Sequence, residues 1–138
     1  MKKIISLLTL TIMVLGTMLF AGCKKAGKVD IGIVLPTKDE PRWVQDETRF
    51  NDAVKKAGYT SEILFSQGNS AREKENVEAL IAKGIKVLII CPQDGAAAAA
   101  AVEAAKKEGI TVIAYDRLIT GTDAVDYYVT FDSIAVGE

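Results

Sequence analysis

Asp116 and Arg117 stand immediately after an apolar run, Thr111-Val112-Ile113-Ala114-Tyr115. If that run is a strand of a parallel α/β sheet, the pair lies at the carboxyl end, where such sheets bind ligands. An ionised aspartate accepts several hydrogen bonds, and an arginine donates several from a rigid planar fork. Together they suit the hydroxyls of a small polyhydroxylated molecule. Arg42 and Trp43 open the first helical stretch. They add a second guanidinium and an aromatic ring, against which the C–H face of a sugar packs. Blander readings stand beside these. An exposed Asp116–Arg117 ion pair is worth about 0–1 kcal/mol. Trp43 taken singly reads as cover for a helix start, and Gln45 and Asp46 as solvated residues.

Other chemistries find less support. A nucleotide site calls for a glycine-rich turn after the first strand. Here that loop is Pro36-Thr37-Lys38-Asp39-Glu40-Pro41, with two acidic residues and no glycine. The sequence holds no Gly-x-Ser-x-Gly elbow and no histidine to serve as a base. No second carboxylate is matched to Asp116 for acid–base work. Two cysteines and no histidine give no pattern for a metal site, and no cofactor is expected. An enzyme is therefore the weaker expectation.

The elements that must position these residues alternate. Val29 to Leu35 reads as a strand ended by Pro36. A helix follows over Pro41 to Ala57, with Phe50, Ala53, Val54 and Ala57 on one face. Pro41 suits a first helical turn. Ser61 to Phe65 is a second strand with a wet edge. Ser70-Ala71-Arg72-Glu73 has the form of a capping box, starting a helix with Val77, Leu80 and Ile81 inside. Val87 to Cys91 is apolar throughout, as a strand covered on both faces should be. Asp94 is placed to cap the helix carrying Ala96 to Val102. Thr111 to Tyr115 and Asp126 to Phe131 complete the strands, the latter with one of Tyr127 and Tyr128 expected in the core. Ser133 begins another helix.

Gly58, Gly84 and Gly109 end successive helices in the C′ role. Their regular recurrence has the period of a βα unit, so the fold expected is α/β, a doubly wound parallel sheet. One rim of such a sheet gathers Arg42, Trp43, Gln67 to Asn69, Gln93, Asp94, Asp116 and Arg117. Cys91, at a strand end, reads as a buried and inert thiol.

Residues 1–22 read as a secretory signal. Lys2 and Lys3 form a basic start, and Ile4 to Phe20 is apolar apart from small residues. A permanent membrane helix is the alternative, for which the segment is short. Ala21-Gly22-Cys23 resembles the lipobox of bacterial lipoproteins, with Phe20 where that box usually has leucine. The resemblance implies lipidation of Cys23; ordinary cleavage nearby would leave a soluble secreted protein. Residues 23–28 read as a tether and 29–138 as the folded unit. Seventeen basic against eighteen acidic side chains, net charge −1, give no electrostatic footprint for nucleic acid.

Several segments together resemble a known family. They are Lys28-Val29-Asp30-Ile31-Gly32-Ile33, Arg42-Trp43-x-x-Asp46, Ala114-Tyr115-Asp116-Arg117-Leu118-Ile119, Asp126-Tyr127-Tyr128-Val129-x-Phe131-Asp132 and Val136-Gly137-Glu138. This pattern resembles the monosaccharide-binding proteins of bacterial ABC importers, and within them the D-xylose-binding group. The resemblance implies a flavodoxin-like first lobe of a two-lobe periplasmic binding protein, with sugar in the cleft. It implies ligand-binding roles for Arg42, Trp43, Gln45, Asp116 and Arg117. Gln45 stands where xylose-type members often have lysine. The implied partners are a monosaccharide, xylose favoured, and an ABC permease, with a chemoreceptor or sensor kinase as a further possibility. The family's first lobe continues beyond Val-Gly-Glu into a helix and then a second lobe, so the resemblance implies that residues 29–138 are an incomplete amino-terminal lobe. The alternative reading, a LacI-type sugar-sensing regulator, would carry a basic helix-turn-helix where this chain has its signal-like segment.

Overall fold

The computed structural model describes residues 27–137. Their elements run β1 (Ile31–Leu35), α1 (Pro41–Lys56), β2 (Ser61–Phe65), α2 (Ser70–Ala82), β3 (Val87–Ile90), α3 (Ala99–Lys107), β4 (Thr111–Tyr115), β5 (Tyr127–Val129) and α4 (Ser133–Gly137). The strands form one sheet in the order β2-β1-β3-β4-β5. All four neighbouring pairs are parallel, with Ile33 beside Ile63 and Ile89, and Ile113 beside Ile89 and Tyr127. This is the doubly wound α/β fold with the flavodoxin-like strand order, whose switch point lies between β1 and β3. The signal-like segment and Cys23 lie outside the described residues.

Strand alternation divides the core in two. On one face Val34, Leu88, Ile90, Val112 and Ala114 meet Val77 and Leu80 of α2 and Ala101, Val102 and Ala105 of α3. On the other, Ile33, Leu35 and Cys91 meet Trp43 of α1, with Phe50, Phe65, Ile89 and Tyr115 packed against them. Gly32 in β1 lets α2 approach closely: a Cβ there would stand 2.9 Å from the Leu80 Cδ1 and 2.8 Å from the Ile85 Cδ1. Gly58, Gly84 and Gly109 have φ of 82°, 74° and 73°, the left-handed conformation of a C′ residue.

Several expectations need correction. The inner face of α1 is Trp43, Asp46 and Val54, with Phe50 half-buried, while Ala53 and Ala57 are exposed. There is no capping box at Ser70. Asn69 is the N-cap, its side chain accepting from the Arg72 N–H at 3.0 Å, and Glu73 turns inward instead. Asp94 does not cap α3 as expected: its carboxylate takes the N–H groups of Ala96 and Ala97 within a turn over Gly95 to Ala98, and α3 begins at Ala99 with Ala98 as its N-cap. Strand β5 is three residues long. Asp126 is withdrawn from it because its carboxylate accepts from the Val112 N–H at 2.9 Å and pairs with Lys106. Neither tyrosine of β5 enters the core; Tyr127 is 63% and Tyr128 44% exposed. The reason is position: β5 is an edge strand, paired only with β4.

Candidate functional site

The connections after β1, β3 and β4 build one cluster at the carboxyl rim. After β1 the chain turns through Pro36 to Glu40, pinned by Lys38, whose ammonium bonds both Glu47 carboxylate oxygens at 3.0 Å and lies 4.5 Å from the Phe65 ring centre. Pro41 then starts α1, so Arg42 and Trp43 fall in its first turn. After β4 the backbone takes a left-handed step at Asp116, with φ 64°. Side chains other than glycine, asparagine and aspartate adopt this conformation reluctantly, and it is held here by neighbours. The Asp116 N–H donates to the Val129 carbonyl at 2.8 Å, and the Asp116 carbonyl accepts from the Tyr128 and Thr130 hydroxyls. Strand β5 thus fixes the residue it flanks.

The consequence is that residues 74 positions apart meet. The Arg42 Nη2 donates to Asp116 Oδ1 at 2.5 Å, and its Nε lies 3.8 Å from Asp46 Oδ2. Asp116 raises the Arg42 pKa above its ordinary value, through the hydrogen bond first. Asp46 is buried, accepting from the Tyr115 hydroxyl at 3.1 Å and pairing with Arg49 at 3.4 Å. Burial, with the bond to Asp46, pushes the Tyr115 phenol upward and keeps it a donor. Arg117 anchors its Nη1 on the Pro92 carbonyl at 3.2 Å. The guanidinium carbons of Arg42 and Arg117 lie 4.5 and 5.6 Å from the Trp43 ring centre.

Four of the five expected ligand residues are therefore brought together: Arg42, Trp43, Asp116 and Arg117. Gln45 is not among them. It is exposed on α1, and none of the described hydrogen bonds involves it. Trp43 is present in another capacity than the open ring expected. It is 1% exposed, its indole N–H has no partner among the described residues, and its face is covered by guanidinium groups. It is a floor for the two arginines. Of the remaining rim residues, Asn69 caps α2, Asp94 holds the turn before α3, and Gln93 offers its backbone N–H to Glu73.

Asp46 and Tyr115 belong to the cluster and sequence reasoning placed neither there. The signal for Asp46 was its spacing: it follows Trp43 by three and Arg42 by four, which puts it on the buried face beside both. Tyr115 ends the apolar run, and its hydroxyl reaches Asp46 only because β4 lies beside β3 and opposite α1. What remains presentable at the rim is one Asp116 carboxylate oxygen and the outward N–H groups of two arginines, a compact array of acceptors and donors on rigid supports. Among the described residues no group of three or more His, Cys, Asp or Glu is arranged for a metal ion.

Comparison with known proteins agrees with this architecture. The chain belongs to a family described as periplasmic binding protein domains, whose model matches residues 31–138. It is 38% identical to the multiple sugar-binding periplasmic receptor of Rhizobium radiobacter, covering 99% of this chain and 38% of that protein. It is 35% identical to the D-xylose-binding periplasmic protein of Escherichia coli, over 82% of this chain and 34% of that one. Among solved structures, a carbohydrate transporter solute binding protein from Chloroflexus aurantiacus in complex with D-glucose is 76% identical. It has a TM-score of 0.74, covering 81% of this chain and 33% of that chain. The chain thus spans little more than a third of the length of these curated relatives.

Proposed function

We propose that this chain supplies one wall of a monosaccharide site in the substrate-binding component of an ABC importer. The observation that carries the proposal is the Arg42–Asp116–Arg117 array, buried on its inner side by Trp43 and open at the carboxyl rim beside the switch point. Such an array supplies fixed acceptors and donors for hydroxyls. The relatives named above carry sugar-binding descriptions, which supports binding and delivery rather than catalysis. The expected course is capture outside the membrane and release to a permease; a chemoreceptor or sensor kinase would read the same closed state.

D-xylose is the sugar favoured by the segment pattern. D-glucose is the second candidate, favoured by the 76% identity to a protein solved with that sugar. Residues 29–138 would form the amino-terminal lobe, and a following lobe would close the cleft from the other side. Residues 1–22 would be removed on export and Cys23 acylated, holding the protein at the outer face of the membrane. Acyl chains anchor durably when two or more are present.

Calorimetric titration with D-xylose and D-glucose, on the product of the reading frame extended to the length of the relatives, tests the proposal. Saturable binding of either sugar that is weakened in Arg117→Ala is expected. Absence of binding for both sugars, in a folded product, overturns it. Mass spectrometry of the mature amino terminus tests the anchor; an unmodified Cys23 would overturn that part.

A further inference from the structure

Beneath the rim lies a carboxylate that the site as described does not use. Glu73 is 1% exposed, on the inner face of α2. Its Oε2 accepts the Gln93 N–H at 2.7 Å. The carbonyl of the same peptide unit, that of Pro92, accepts from Arg117 Nη1 at 3.2 Å. No peptide bond of the described chain is cis, so the N–H and C=O of this unit point in opposite directions. One peptide plane is therefore gripped from below by a buried carboxylate and from above by the guanidinium at the rim. The other groups acting on Glu73 are Asp94, which opposes its charge, and the buried Ser66 hydroxyl, which makes no bond of ordinary geometry and is free to turn toward it. Burial raises the Glu73 pKa, while Gln93 and Arg117 draw it back.

We infer that Glu73 is a positioning residue for the sugar site: it fixes the plane of the Pro92–Gln93 peptide, and that plane aims Arg117. The inference rests on the monosaccharide-binding reading above. Hydrogen bonds in a chain polarise one another, so a charged acceptor on the N–H strengthens the carbonyl as a partner for the arginine. A burial this complete is costly for a carboxylate serving structure alone, since an apolar residue would fill the same space between α2 and the sheet.

The test uses the extended product. Glu73→Leu is expected to weaken sugar binding about tenfold, as for one misplaced charged hydrogen bond. Glu73→Gln, which keeps an acceptor for the Gln93 N–H, should recover most of that loss. In an Arg117→Ala background Glu73→Leu should cost nothing further, because the pathway runs through the guanidinium. An equal loss in both backgrounds, no loss in the single variant, or Gln no better than Leu would each overturn the inference. Should the leucine variant fail to fold, Glu73→Asp, whose shorter arm does not reach Gln93, replaces it under the same expectations. Hydrogen exchange of the Gln93 amide, measured without sugar, separates the two proposals. Fast exchange in wild type removes the peptide clamp, whereas a protected amide with no sugar binding removes the functional reading.

Discussion

Arg117 and Arg42 have different work despite sharing a tryptophan floor. Arg42 has its charge opposed by Asp116 at 2.5 Å and by Asp46. Arg117 is tied to a neutral carbonyl, and its other N–H groups are the better donors to a ligand. Arg117→Ala should therefore weaken sugar binding by about 1–3 kcal/mol with the melting temperature little changed, as calorimetry with D-xylose or D-glucose would read. Trp43 is the single tryptophan, so its emission reports this spot. Because guanidinium groups cover the ring, sugar addition should shift or quench it by moving them. A second residue-scale expectation concerns acid. The Asp126 carboxyl is held below its ordinary pKa, first by Lys106 and then by the Val112 N–H. A lowered folded value means that the folded state binds fewer protons than the unfolded one. The stability it contributes is present above the ordinary carboxylate range and is lost as pH falls toward the lowered value. Asp126→Asn should accordingly flatten part of the acid limb of a stability–pH profile measured by thermal melting.

Two connections set the site at the scale of elements. The turn before α3 packs against the segment that follows Arg117: a Cβ on Gly95 would stand 2.4 Å from the Leu118 carbonyl oxygen, and the Thr120 N–H bonds the Gly95 carbonyl. Backbone on both sides leaves no flexible end to yield. Gly95→Ala should destabilise by about 1–3 kcal/mol and weaken sugar binding as well, since the segment it displaces begins at the site. Urea denaturation and titration of the same variant check the two effects together. The strand–helix alternation itself was legible because glycine in a left-handed C′ position and apolar runs of strand length are local signals. The start of α2 was not. Ser70 and Glu73 have the spacing of a capping box, but Asn69 competes for the cap and a tertiary partner, the Gln93 N–H, recruits Glu73.

At the scale of the whole molecule, the two faces of the sheet are unequally covered. Helices α2 and α3 bury Val34, Leu88, Ile90, Val112 and Ala114. On the opposite face α1 covers Ile33 and Leu35, but Ile113 and Tyr115 are half-buried and Tyr127 and Val129 exposed. A cavity of ≈ 270 Å³ lies there, lined by Asp46, Arg49, Phe50, Ala53 and Tyr115. We expect the 138-residue chain to bind D-xylose far more weakly, and to melt lower, than the product extended to the length of its relatives. A single wall leaves a sugar half solvated, and each polar contact then competes with water. Equal affinities would contradict the two-lobe proposal. Cys91 supplies a probe for the same comparison. It is wholly buried, and burial pushes its thiol up to about 12. Alkylation should be negligible in the folded protein and follow the unfolding transition, and faster labelling of the shorter chain would report its weaker core.

Periodicity and punctuation in the sequence were enough to determine the α/β class, the order of elements, the parallel sheet and the rim on which Arg42, Asp116 and Arg117 stand. These follow from forces acting within about one helical turn or one strand, which a linear sequence records. The side-chain partners were decided by tertiary structure. Whether Trp43 faces solvent or core, whether Asp46 is solvated or bonded to Tyr115, and whether Glu73 caps a helix or grips the Pro92–Gln93 peptide depend on groups 20 or more residues away. Each choice turns on the desolvation of a polar group, and that cost exists only once β1, β3 and β4 lie side by side under α1 and α2.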